Sequence, residues 1–362
     1  MIVDVTRSTG SSQREAGLKH ALMRPALLRI LVALGALGGI AGLVLAVNPG
    51  AVGHALQGFD VRALVPAVLL VLAFHLLQGL RWHLLLRQSG VRIRHLDSQL
   101  INLAGQAATA VLPLGDLTRA LLASRVARVR FGAVAATVTV QELSFMLLVV
   151  AAAAPGLGRL PGGAIWMLVL LSAIAGIVVI LTVDRVFARV RRLVGATPVL
   201  QRFTTEIETL QREARRLLGN RAVLAGAALD LGRVVVCTVA MLVILRGMHV
   251  MALDWADAAL VVSVSFAGGA LSFLPGGIGA NEASVVGVLV VLGVNPGVAA
   301  AAAIVQRLSL TIVPTTAGSL SYLVLRRRRA AVAAHVSGDS ASPRGLQGRR
   351  VAAAAFAATV LP

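Results

Sequence analysis

The stretch Leu274-Pro275-Gly276-Gly277-Ile278-Gly279-Ala280-Asn281-Glu282 interrupts a long apolar region with a proline, three glycines and an acid. A fainter echo stands at Leu112-Pro113-Leu114-Gly115-Asp116-Leu117-Thr118-Arg119. Broken helices in corresponding places of two halves are the sequence mark of a transport site at membrane depth. Whether these two breaks correspond depends on what flanks them.

What flanks them is apolar. Of 362 residues 57% are hydrophobic and 14% charged, with a mean hydropathy of +0.86. A soluble domain of this size cannot hide so much apolar surface, which points to an all-α polytopic membrane protein. The Ala/Val/Leu-rich runs far exceed the ~10 residues of an outer-membrane strand, which excludes a β-barrel. The net charge of +19 would suit a nucleic-acid partner, but the arginines sit in loops between apolar runs, where cytoplasmic basic residues belong. No nucleic acid is expected. Lys19 is the only lysine among 34 basic residues, and this, with the abundance of Ala, Val and Gly, points to a GC-rich bacterial source. Cys237 is the single cysteine and lies in an apolar run, so neither a disulfide nor a thiolate metal cluster is expected.

In chain order, residues 1–24 form a polar tail with the composition of disorder. A signal-anchor span follows from Leu27 to Val47, ended by Asn48-Pro49-Gly50. A second span, Leu64 to Leu86, ends in Arg81-Trp82-His83 and meets Arg87, Arg92 and Arg94. The positive-inside rule then puts the N-terminus and this loop in the cytoplasm. Arg81 and Trp82 are expected as interface anchors, with a headgroup contact the sharper reading of Arg81. The run Leu100 to Leu122 is broken at Pro113-Leu114-Gly115-Asp116, and both its flanks are basic. It is therefore expected to enter and leave from one side, as a re-entrant hairpin, with Asn102 and Gln106 one turn apart on the entering arm.

Spans from Phe131 to Ala154 and Ala164 to Val183 follow, then a strongly basic connector over residues 184–221. The connector reads either as an amphipathic helix against anionic headgroups or as a solvated link. Ala222 to Leu245 crosses outward carrying Asp230 and Arg233, which can neutralise each other. By parity, Ala258 to Val294, broken at Pro275, enters and leaves from the outer side. The last span, Val298 to Leu325, meets Arg326-Arg327-Arg328-Arg329, and residues 329–362 form a second cytoplasmic tail. The expected architecture over 25–328 is about six full spans plus two oppositely oriented re-entrant hairpins, forming an inverted repeat.

Each half carries a buried polar pair in the span after its hairpin, Gln141-Glu142 and Gln306-Arg307. Intramembrane charges are functional candidates because they cost from ~2.5 to over 10 kcal/mol to place there. Glu142 and Arg307 occupy equivalent places with opposite sign. They fit either a salt bridge pinning the halves together or a substrate or proton site. At the two breaks, helix N-termini and the glycines Gly115, Gly276, Gly277 and Gly279 would let backbone approach an anionic headgroup. Arg119 would be its phosphate ligand, and Asp116, Asn281 and Glu282 stand where helix caps belong. The seven histidines show no paired metal spacing, and there is no GxSxG and no Walker lysine. Neither catalysis nor a cofactor or metal is expected.

These motifs resemble those of the transmembrane region of lysylphosphatidylglycerol synthases, a flippase-like membrane family. Arg81-Trp82 with Leu85-Leu86 is similar to its early signature, and Leu112-Pro113 with Gly115 through Ala120 to its first broken motif. Pro275-Gly276-Gly277-Ile278-Gly279 with Glu282-Ala283 is similar to its most specific motif, and Gln306-Arg307-Leu308 to a step in its last span. The first motif is shorter here than usual, and Glu142-Leu143 stands where the family has Glu-Arg. No soluble aminoacyl-transfer domain follows Arg329, so lysyl-lipid synthesis is not expected. The resemblance implies translocation of an anionic, aminoacylated or glycosylated (for example polyprenyl-linked) lipid across a bacterial inner membrane. The rival expectations are an accessory subunit for a separate glycosyltransferase or lipid-modifying enzyme, and a small-solute secondary transporter. Expected site residues are Arg81, Gly115, Asp116, Arg119, Glu142, Pro275, Gly276, Gly277, Gly279, Glu282 and Arg307.

Overall fold

The computed structural model describes residues 48–109, 116–195, 204–272 and 274–338. The expected first span, the N-terminal tail, residues 339–362, and Pro113 to Gly115 of the first break lie outside them, while the start of the expected C-terminal tail, 329–338, continues the last helix. Every secondary-structure element among the described residues is helical. Among the described residues five helices are long and apolar enough to cross a membrane: Val61–Gln88, Phe131–Leu157, Gly163–Thr182, Arg221–Gly247 and Pro296–Arg328. They stand where hydropathy placed five of the six expected spans.

The first half begins with the short helix α1 (Pro49–Gln57) and the long α2 (Leu64–Gln88). The pair α3 (His95–Thr109) and α4 (Asp116–Ala127) follows, and then α5 (Phe131–Leu157). After it come α6 (Gly163–Thr182), α7 (Asp184–Gly195) and α8 (Thr204–Leu218). The second half has a short α9 (Arg221–Ala225), the long α10 (Ala227–Gly247), the pair α11 (Trp255–Leu271) and α12 (Ala280–Val291), and α13 (Pro296–Val313). A π-helical turn at Pro314–Gly318 leads into α14 (Ser319–Gly338). Asn48 and Asn295, each before Pro-Gly, do not simply end spans. Each caps a helix start, its side chain accepting from the amide of Gly50 at 3.1 Å and of Gly297 at 2.9 Å.

α3 with α4, and α11 with α12, are helical hairpins whose arms pack on each other. At 1.5 Å per residue the entering arms reach only about 22 and 26 Å, short of the ~30 Å hydrocarbon core. The packing of the halves is reciprocal. α2 runs antiparallel to α10: Asp60 N donates to Gly247 O at one end (3.0 Å), and Arg81 meets Asp230 towards the other (3.0 Å). α4 packs on α5 and α12 on α13, while α11 lies along α5 and α3 along the π turn and α14. Each hairpin thus rests on the span that follows it and on the equivalent span of the other half. Close approach comes from small side chains. Ala299 to Ala303 are all buried in one apolar core with Met241, Val262, Val285 and Leu289.

The connector matches neither of the two readings offered for it, a headgroup-bound helix or a solvated link, over its second helix. α8 turns its apolar side onto protein, burying Ala214 and Leu217 with Leu85, Ala136 and Val140. Glu206 accepts from the amide of Gly132 at 2.6 Å. Only α7 leaves Val186, Phe187 and Val190 partly exposed beside Arg185, Arg189 and Arg192. α6 exposes Ile165, Trp166, Leu168 and Val169, as a lipid-facing span would.

Gly318 shows how tightly the last span holds the first hairpin. A Cβ there would lie 2.5 Å from the carbonyl oxygen of Leu103 and 2.8 Å from the Cβ of Ala107. Gly318→Ala is expected to cost about 1–3 kcal/mol by overpacking, read as a lower unfolding temperature of the detergent-solubilised protein. Gly176→Ala, with open space around it, is expected to leave that temperature unchanged.

Candidate functional site

An apolar helix that carries an arginine into the bundle must bring it a carboxylate, because an unpaired buried charge costs several kcal/mol. Arg119, in the first turn or so of α4, is fully buried. Its Nη2 donates to Glu142 Oε1 at 2.7 Å, and its Nη1 donates to Asn102 Oδ1 at 2.9 Å and Gln141 Oε1 at 3.1 Å. Its Nε lies 3.7 Å from Asp116 Oδ1, and its guanidinium sits over the Trp82 ring. Gln106 Nε2 donates to the same oxygen, Asp116 Oδ1, at 2.9 Å. The polar residues of the entering arm therefore serve to hold the returning arm.

Glu142 is shared. Arg233 of α10 lies 3.8 Å from its second oxygen and packs over the rings of Phe74 and Phe145. Arg233 also donates to Asp230 Oδ1 at 3.1 Å, while Arg81 Nε donates to Asp230 Oδ2 at 3.0 Å. Three guanidiniums, from Arg81, Arg119 and Arg233, thus face three carboxylates, from Asp116, Glu142 and Asp230. The Nη1 of Arg81 and the Nε atoms of Arg119 and Arg233 are buried without a hydrogen-bond partner among the described residues.

The second hairpin is clasped with the signs exchanged. Gly276, Gly277 and Gly279 have φ of 58°, 62° and 87°, values only glycine adopts without strain. A Cβ on Gly277 would also stand 2.7 Å from the Cα of Gly269 on the facing arm. Pro275 opens this turn. Glu282, buried in the first turn of α12, accepts from the Gly279 amide at 2.7 Å, so it caps the helix. Its other oxygen accepts from Arg307 Nε, and Arg307 Nη1 donates to the Gly276 carbonyl at 3.0 Å. The first hairpin brings an arginine to an acid on the next span, and the second brings an acid to an arginine on the next span.

Two expectations are corrected here. Glu142 and Arg307 do not pair with each other. Each faces the returning arm of its own hairpin, α4 or α12, so its nearest opposite charge is Arg119 or Glu282. Arg81 and Trp82 are not interface anchors. They are 1% and 0% exposed, Arg81 held by Asp230 and Trp82 donating to Thr137 Oγ1 at 2.9 Å. Of the three expected caps, Glu282 alone bonds a backbone amide among the described residues. Asp116 accepts from Gln106, and Asn281 from Ser265. Gly115 lies outside the described residues.

The sequence reading missed Gln78 and His75. Gln78 contacts His75, Asn102 and Glu142, and its carbonyl accepts from Gln141 Nε2 at 2.7 Å. The signal was a polar stripe at 75, 78 and 81–82, helical spacing in an otherwise apolar span. Between the two clasps, Phe74, Phe145 and Phe266 meet at the joint of the halves with ring centroids 5.3–6.1 Å apart. Beside them Cys237, Gln306 and Ser309 line a cavity of about 20 Å³, room for one water.

A family model described as the lysylphosphatidylglycerol synthase TM region matches residues 27–318, which contain both hairpins and both clasps. No curated protein matches the chain.

Removing one partner of a buried pair leaves the other charge uncompensated, at about 3–5 kcal/mol. Arg119→Ala is therefore expected to lower the unfolding temperature markedly. Arg119→Ala combined with Glu142→Ala is expected to regain part of the loss, a coupling that a double-mutant cycle in detergent measures. Strict additivity would show that the clasp is not the interaction being broken.

Proposed function

The chain belongs to the lysylphosphatidylglycerol synthase TM region family, and from that premise we propose that it translocates a lipid with an anionic, aminoacylated or glycosylated headgroup between membrane leaflets. It is an integral membrane protein of a family concerned with lipid modification or translocation. The observation that carries the finer reading is the pair of hairpins, whose returning arms are each held by an ion pair of opposite polarity. Non-helical backbone at that depth is tolerated where protein surrounds it or a cavity forms beside it. Discontinuous helices of two inverted halves are where transporters place their sites.

In this reading the hairpins dip in from opposite faces, and residues 27–47 supply a sixth span. The end of the bundle rich in arginine, at 87–94, 125–130, 185–192 and 326–328, faces the cytoplasm of a bacterial inner membrane, as do both termini. A headgroup phosphate competes with Glu142 for Arg119, and with Glu282 for Arg307, through charge-assisted hydrogen bonds. Each clasp is strong enough to hold its hairpin closed and exchangeable for a ligand of the same charge. The protein is read as a transporter without chemistry of its own. The exposed arginines of α7 favour a second reading, an accessory subunit docking a separate lipid-modifying enzyme or glycosyltransferase. Loss of a co-purifying enzyme on neutralising Arg185, Arg189 and Arg192, with hairpin variants unaffected, would support that alternative.

The test is reconstitution into liposomes with headgroup-labelled anionic lipids and a membrane-impermeant quencher. Wild-type protein is expected to accelerate leaflet exchange. Glu142→Gln, Glu282→Gln and Arg119→Lys, each checked for folding, are expected to slow it at least about tenfold, the scale of one charged hydrogen bond. The reading fails if the wild type moves no lipid headgroup and these variants leave the cellular phenotype unchanged.

A further inference from the structure

Two exposed ion pairs stand at opposite ends of the bundle, in places the two halves make equivalent. At one end Arg159, just beyond α5, donates to Asp254 Oδ2 at 2.9 Å and to Asp257 Oδ1 at 3.2 Å. These acids are the cap and third residue of α11, the entering arm of the second hairpin. At the other end Arg328 of α14 donates to Asp97 Oδ1 at 3.0 Å. Asp97 is the third residue of α3, the entering arm of the first hairpin. In both cases the guanidinium comes from the end of one half's closing span and the carboxylate from the mouth of the other half's hairpin. Among the described residues the other ionic links between the halves, Arg81 with Asp230 and Arg233 with Glu142, are in the interior.

We propose that these two pairs are the latches of an alternating-access cycle: Arg159 with Asp254 and Asp257 closes the outer mouth, Arg328 with Asp97 closes the inner one, and one opens while the other holds. This rests on the transport reading and on the orientation given above. Both latches are closed here, and the cavity beside Cys237 has room for about one water. Their exposure suits the task. Arg159 and Arg328 are each about half exposed, and such pairs shift an equilibrium by only a few-fold, so thermal motion breaks them once per cycle while their loss still biases the populations. Interior pairs such as Arg119 with Glu142 hold far more strongly. The Arg159 guanidinium, helped by backbone amides at the cap, holds the Asp254 carboxyl down at about 2, so Asp254 stays charged at any ordinary pH.

The chain's single cysteine is the reporter, because Cys237 lines the central cavity beside Gln306 and Ser309. A membrane-impermeant methanethiosulfonate is applied to right-side-out and to inverted membrane vesicles, with Cys237→Ser as background. Wild-type labelling is expected to be slow from both sides. Arg159→Gln is expected to raise the rate about two- to fivefold from the outer side only, and Arg328→Gln by a similar factor from the inner side only. The swap Asp97→Arg with Arg328→Asp is expected to restore the wild-type rate, which general destabilisation would not allow. No change in either variant, a rise from both sides alike, or a swap that fails to restore would overturn the latches. Labelling needs no lipid flux, so the two proposals separate. Side-specific labelling without lipid movement sinks the lipid reading alone, and lipid movement with unchanged labelling sinks the latches alone.

Discussion

The structure depends on one electrostatic constraint: a charge carried into an apolar bundle needs an opposite charge within about 4 Å, or it must stay outside. The chain meets this twice with reversed polarity. Arg119 on the first hairpin binds Glu142 on the span after it, and Glu282 on the second hairpin binds Arg307 on its following span. Each pair fixes a helix that is too short to cross a membrane against one that is long enough. Without them, the returning arms α4 and α12 would present buried polar groups to apolar neighbours.

Packing and electrostatics reinforce each other. Ala299 to Ala303 and Gly318 let helices approach closely, and close approach is what brings side chains on different helices within hydrogen-bond reach. Glu142 extends the first clasp across the joint of the halves, because Arg233 of α10 shares it while resting on Phe74 and Phe145. Moving a hairpin therefore disturbs the ion network and the aromatic contacts together. Such a bundle favours discrete arrangements over continuous deformation.

Much of the fold was legible before any coordinates. Hydropathy located five of the described spans, and Pro275 with its glycines marked a break that appears as a turn of left-handed residues. The sequence marks the acid at 142 and the arginine at 307 as equivalent and opposite, but not their partners. Arg81, next to Trp82 near a basic loop, carried the local pattern of an interface anchor, yet it meets Asp230, 149 residues away. Likewise α8 had the pattern of a headgroup-bound helix, but its apolar side is taken by α5. An amphipathic pattern says that one face is covered without saying by what.

By itself the sequence determined what is local along the chain: which segments are apolar enough for lipid, where the helices break, and what sign of charge each segment carries inward. These follow from side-chain transfer energies and backbone sterics, which need no knowledge of neighbours. Only the tertiary structure decided which charges meet. Pairing acts over a few ångströms and depends on which helix lies alongside which and on the rotation of each about its axis. Arg119 found Glu142, Arg307 found Glu282, and Arg81 found Asp230 because packing put those faces together.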